Sequence, residues 1–300
     1  MNTSATAHII EVSGLTRKFD SKLALNNVSL QVHHGRVFGL VGGNGAGKTT
    51  LIKHILGLLK AESGSVRVFG FDPVADPVAV LGRIGFLSEN RDLPPWMRVD
   101  ELLRYIQAFY PKWDMTYAEE LRKQFGLDPS ARIKNLSRGE NAKAGLLIAL
   151  AYRPELLLLD EPSSGLDPVV RRDILEAIIR TVADEGRTVF FSSHLLEEVE
   201  RVADDVAMMF DGKVVLGGTL DEIKENHHRL ILRFESPQPS PPKVPGVLSI
   251  TGSAREWTVI CNGSRPETIA AATQMGGRVV AQDTPSLDEI FVARAGAKTV

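Results

Sequence analysis

The sequence predicts an α/β fold built on a mostly parallel sheet, followed by a small α+β appendage. Three observations predict it. A short apolar run, "RVFGLV" at 36–41, leads through a glycine-rich turn into a helical segment. A second apolar run, "ELLLLDEP", ends on two acids. From 150 to 212, strand-like and helix-like segments alternate, the pattern of parallel βαβ units.

Each element follows in order. "HIIEVS" (8–13) and "LNNVSLQV" (25–32) alternate in part and read as strands. "RVFGLV" reads as a buried strand. Leu51, Ile52, Ile55 and Leu56 then share one helical face, and Val99, Leu102, Leu103 and Ile106 place a helical stretch within 98–126. In "NLSRGE", Ser137 is a good N-cap and Glu140 stands three residues later, which predicts a capping box opening another helix. "ELLLLDEP" and "TVFFSSH" are further buried strands. Near residue 228 the composition shifts. "SPQPSPPKVPG" (236–246) holds five of the 16 prolines and predicts a linker. "EWTVICNG", a helix from about Pro266 to Gln274, and "RVVAQDT" complete the appendage. The predicted domains are therefore 1–228 and 229–300.

Composition narrows the function. A chain of 300 residues with 43% hydrophobic content can hold one large domain plus an appendage. A net charge of −2 argues against a nucleic-acid binder that works through bulk electrostatics. Cys261 is the sole cysteine, so no internal disulfide forms, a reducing compartment is expected, and its plainest role is a small buried hydrophobe. The start, "MNTSATAHII", lacks the basic and apolar regions of a signal peptide. The longest apolar stretch, 144–152, is far short of the roughly 20 residues that span a bilayer. Any membrane span must come from another protein.

Two motifs carry chemistry. "GGNGAGKT" (42–49) fits G-x-x-x-x-G-K-[ST] between a strand and a helix. Gly42, Gly45 and Gly47 allow backbone N–H groups to converge on phosphate oxygens, and the helix N-terminus adds its dipole. Lys48 brings a full charge to the phosphates, and the Thr49 hydroxyl can ligate Mg²⁺. Asp160, at the end of a buried strand, is suited to orient that ion. Glu161 is placed to polarise a water for in-line attack on a terminal phosphate.

The order "GGNGAGKTT", "NLSRGE", "LLLLDEPSSGLDP", "SSH" resembles the nucleotide-binding subunits of ABC transporters over about residues 8–224. The resemblance implies a P-loop NTPase fold with an N-terminal antiparallel β subdomain and a helical subdomain at about 90–150. It implies ATP and Mg²⁺ as ligands, and two domains facing head to tail with two ATP molecules between them. Gly42, Gly43, Asn44, Gly45, Ala46, Gly47, Lys48, Thr49 and Thr50 would then hold the nucleotide, with Thr49, Glu89 and Asp160 on the metal. Phe19 would stack on adenine, although a core phenylalanine near a turn is the competing reading. Ser137 and Gly139 would bind the γ-phosphate held by the other subunit, and Asp167 would link the two sites. Catalysis would fall to Glu161, His194 and Lys48.

The chain departs from the family pattern at three places. Glu89 stands where glutamine is usual, Arg138 and Glu140 replace glycine and glutamine, and Gly43 stands where proline is common. One uninterrupted domain argues for a transporter subunit; a soluble translation or DNA-repair ATPase is the alternative. The implied partners are a separate integral membrane permease and a second ATP-binding subunit, a copy of itself or a close relative, at the cytoplasmic face. No nucleic acid is expected. "LGGTLDEIKE" (216–225) and "PSLDEIFV" (285–292) resemble the type-2 export branch, with import the other direction. Phe109, Tyr110 and Trp113, in "IQAFYPKWD", either meet the permease or pack within the helical subdomain. Leu287, Ile290 and Phe291 are expected to pack against the tail's own sheet.

Overall fold

The computed structural model describes residues 8–183 and 186–296. The stretch 1–7, which the sequence reading distinguished from a signal peptide, lies outside them. In chain order the elements are β1 (His8–Phe19), β2 (Lys22–His33), β3 (Val37–Val41), α1 (Lys48–Ile55), β4 (Ser63–Val68), α2 (Pro77–Leu81), β5 (Ile84–Leu87), α3 (Val99–Gln107), α4 (Met115–Gln124), a 3₁₀ turn (Ile133–Asn135), α5 (Arg138–Leu150), β6 (Leu156–Leu159), α6 (Pro168–Ala183), β7 (Thr188–Ser193), α7 (Leu196–Val202) and β8 (Asp205–Phe210). β9 (Lys213–Thr219), α8 (Leu220–Asn226), β10 (His227–Phe234), β11 (Val247–Ser253), β12 (Glu256–Asn262), α9 (Arg265–Gln274), β13 (Gly277–Asp283) and α10 (Leu287–Gly296) follow. The chain forms two compact units, one ending at Val214 and one beginning at Val215.

In the first unit the strands run β5-β6-β7-β3-β8 across a sheet whose β3, β5, β6, β7 and β8 pairings are all parallel. β3, β6 and β7 are buried at every position, as strands covered on both faces must be. Phe38 of β3 stacks on Phe190 of β7 with ring centroids 5.2 Å apart. Leu40, Leu156 and Leu158 share that core with Ile52 and Ile55 of α1. A separate antiparallel sheet, β2-β1-β4, closes the same core with Ile10, Leu15, Val28 and Val68.

The helical stretch expected over 98–126 is two helices. Pro111 has no N–H to donate and disfavours a helical Tyr110, so α3 stops at Gln107. Asp114 restarts the helix by accepting the Tyr117 N–H at 2.9 Å. The aromatics of this turn divide: Tyr110 stacks on Tyr152 at 3.9 Å, whereas Phe109 is exposed.

The second unit is an antiparallel sheet, β11-β12-β10-β13, over a core of Leu230, Leu232, Phe234, Val259 and Ala272. Cys261 is buried there, and that burial pushes its thiol up to about 11. Leu287 and Ile290 are buried where α10 packs on β11 and β12. The composition shift near 228 marks strand β10, while the compact unit begins earlier, because α8 packs on β10 and belongs with it. The proline-rich stretch is the β10–β11 connection inside this unit.

No helix among the described residues is long and apolar enough to cross a membrane. Leu158 is fully buried at the centre of the first unit. Leu158→Ala is expected to cost about 2–5 kcal/mol, read as a lower denaturation midpoint.

Candidate nucleotide site

The loop from Gly42 to Gly47 joins β3 to α1. Gly47 caps α1 at φ 105°, and a Cβ there would sit 2.5 Å from the Ala24 carbonyl oxygen, so no other residue fits without displacement. The loop is anchored by Gly42 N–H to Ser193 O (3.3 Å) and Ala46 N–H to Gly43 O (3.2 Å). Intrahelical bonding reaches the loop only with Leu51 N–H to Gly47 O, and the N–H groups of the first turn point toward any anion set before them.

Lys48 is only 6% exposed. Its Nζ donates to Gly42 O (2.6 Å) and Gly43 O (3.3 Å) and lies 2.9 Å from Glu161 Oε1. Glu161 follows β6 in the left-handed region, φ 48°, a turn that costs an ordinary residue about 1–2 kcal/mol. Its other oxygen, Oε2, is 2.7 Å from His194 Nδ1 at the end of β7. Asp160 sits beside them: Ser192 Oγ donates to its Oδ1 at 2.7 Å and accepts the Glu161 N–H at 2.9 Å. Strand β7, between β3 and β6, thus ties both neighbouring loops together.

A cleft of about 420 Å³ opens over this cluster. It is lined by Phe19, Asn44 to Thr50, Glu89 and Glu161. Phe19 is 41% exposed there, with the Arg17 guanidinium 4.7 Å from its ring centroid. Gly42 and Gly43 do not line the cleft; they hold Lys48 through their carbonyls. Thr49, Asp160 and Glu89 are all hard oxygen donors, a set that suits Mg²⁺ shared with phosphate oxygens. Lys22 and Ala24, which also line the cleft, were not legible in the sequence because nothing local distinguishes them.

Ser137, Gly139 and Asp167 do not line this cleft. They sit at two helix N-termini that pack on each other. Ser137 Oγ accepts the Glu140 N–H at 3.2 Å, and Glu140 Oε2 accepts the Ser137 N–H at 2.8 Å, forming the expected capping box. That backbone bond holds the Glu140 carboxyl below its usual range. Asp167 Oδ1 accepts the N–H groups of Val169 and Val170 at 3.0 and 3.1 Å, and the Val170 bond lowers its pKa first. A Cβ on Gly139 would lie 2.8 Å from Val170 Cγ2, so the glycine permits this approach of α5 to α6.

A phosphate-binding loop at the centre of a parallel sheet, with a strand-end acid pair beside it, defines a P-loop nucleotide hydrolase. Residues 25–164 match the ABC transporter family model. The ATP-binding protein YtrB of Bacillus subtilis (strain 168) is 28% identical over 97% of this chain and 99% of its own length. The daunorubicin/doxorubicin resistance ATP-binding protein DrrA of Streptomyces peucetius is 33% identical over 78% of this chain and 72% of its own. A solved ATP-binding subunit of an ABC transporter superposes with a TM-score of 0.66 at 29% identity, over 72% of this chain and 92% of that one. The chain belongs to the ABC transporter ATP-binding proteins and is an ATPase of that family.

Charge-assisted hydrogen bonds are worth about 1.5–3 kcal/mol, so Lys48→Ala should weaken ATP binding by at least about tenfold in calorimetry. Glu89→Gln should retain steady-state phosphate release; complete loss would show that the acid itself is required.

Proposed function

We propose that this chain is the ATP-hydrolysing subunit of an exporter, docked on the cytoplasmic face of a separate permease and acting as a head-to-tail pair with a copy of itself. The observation that carries the pairing is the division of the site. Lys48 and Glu161 line the cleft and His194 is bonded to Glu161, while Ser137, Gly139 and Asp167 form a second patch outside it. ATP held in the cleft of one copy is completed by the patch of the other, whose helix N-terminus supplies the favourable end of a dipole.

The buried contacts suggest the order of events. The Lys48 ammonium forms an ion pair with Glu161 across 2.9 Å. Arriving phosphates take over that charge and leave Glu161 held through His194. The Glu161 carboxylate then accepts a proton from water as the water oxygen attacks the γ-phosphorus and the bond to the β–γ bridging oxygen breaks, yielding ADP and phosphate. Thr49, Asp160 and Glu89 would hold Mg²⁺, which would supply charge neutralisation to the phosphates. Shifting a pair from mostly open to mostly closed takes about 5.5 kcal/mol of differential binding. Several charge-assisted bonds at each of two sites, at about 1.5–3 kcal/mol apiece, are sufficient.

A groove of about 300 Å³ supports the permease partner. Leu56, Leu58, Leu81, Phe86, Tyr110 and Tyr152 line it, and Leu58 is 64% exposed. An apolar groove of this kind accepts a short amphipathic helix. Export is the direction that fits a relative named for daunorubicin/doxorubicin resistance.

Glu161→Gln removes the base and keeps the shape. It should trap an ATP-bound dimer, seen as a doubling of mass in light scattering with MgATP. A variant that stays monomeric at every MgATP concentration would count against the pairing.

A further inference from the structure

Glu198 is a buried acid that the steps above do not use. It lies on α7, four residues after His194 in sequence, and is 4% exposed. Its Oε2 accepts from Ser163 Oγ at 2.6 Å and from Ser193 Oγ at 2.9 Å. Its Oε1 lies 3.2 Å from Arg171 Nε on α6.

The partners come from three segments, each next to a residue of the site. Ser163 is two residues beyond Glu161. Ser193 directly precedes His194, and its Oγ also accepts the Leu195 N–H at 3.0 Å, so the backbone on both sides of His194 is referenced to Glu198. Arg171 donates from Nη2 to Leu166 O at 3.4 Å, and its own N–H reaches Asp167 O at 3.0 Å. A buried carboxylate is unfavourable unless its charge is answered; here two serine hydroxyls bond one oxygen and the Arg171 guanidinium faces the other as an ion pair, which brings three segments to one point.

We infer that Glu198 is a positioning residue for ATP hydrolysis. It does not line the cleft. It holds His194, the turn after Glu161 and the Asp167 turn in one register, so that the Glu161–His194 contact and the face offered to a second copy are set together. This inference rests on the roles proposed above for Glu161 and His194.

Steady-state kinetics and ATP binding of full-length Glu198→Ala and Glu198→Gln test it, with wild type and Glu161→Gln as references. A positioning role predicts that Glu198→Ala lowers kcat about tenfold or more while ATP affinity stays within about twofold. Glu198→Gln keeps an oxygen for both serine hydroxyls and should recover kcat to within about threefold of wild type. The inference is overturned if Glu198→Ala retains wild-type kcat, if its kcat and affinity fall together, or if Glu198→Gln is as slow as Glu198→Ala. Should Glu198→Ala fail to fold, Ser163→Ala and Ser193→Ala take its place. Each should lower kcat about threefold at unchanged affinity, and wild-type kcat in both overturns the inference. Full turnover by Glu161→Gln would instead overturn the assignment of the base, which separates the two failures.

Discussion

The buried ion pair between Lys48 and Glu161 is the contact on which the site depends. Removing one partner of such a pair typically costs about 3–5 kcal/mol, because the other charge is left alone in a medium that solvates it poorly. The pair therefore demands a scaffold that brings the end of β3 and the end of β6 to one place. The strand between them, β7, supplies it. Ser192 holds Asp160 and the Glu161 backbone, Ser193 holds Gly42, and His194 takes the second oxygen of Glu161. The last two residues of that strand and the one just beyond it thus serve both neighbours.

The second patch follows a different logic. Its residues work first as caps: Ser137 and Glu140 close α5, and Asp167 closes α6. Those acids are spent on N–H groups of their own helices. The Arg138 guanidinium, by contrast, comes within 3.6 Å of where a Cβ on Gly165 would sit, close to the Asp167 turn. This patch therefore presents a cation where the usual family pattern has glycine.

Legibility in the sequence tracked how local the physics is. Gly47, Lys48 and Thr49 were readable because loop geometry and chemistry sit in one run of chain. The capping box at Ser137 was readable for the same reason. Strand β4 was not, since only Val66 and Val68 of its six residues are buried and no alternation stands out. Pro111 was visible, yet the apolar spacing on either side concealed the break between α3 and α4. Glu198 looked like any acid on a helix, because its partners Ser163, Ser193 and Arg171 come from other segments and only the fold assembles them.

The position of β3 has a consequence for how the chain is made. Val37 pairs with Val189, and Phe38 with Asp205, so the strand that feeds the phosphate loop finds neither neighbour until most of the first unit has been synthesised. Such pairings are slow to form and leave apolar strand edges exposed while they wait. During translation the antiparallel sheet of β1, β2 and β4 can assemble early, whereas "VFGLV" remains without a sheet. The ability to hold nucleotide is thus acquired late, and a ribosome stalled before residue 188 carries a loop with the right residues and no strand to shape it.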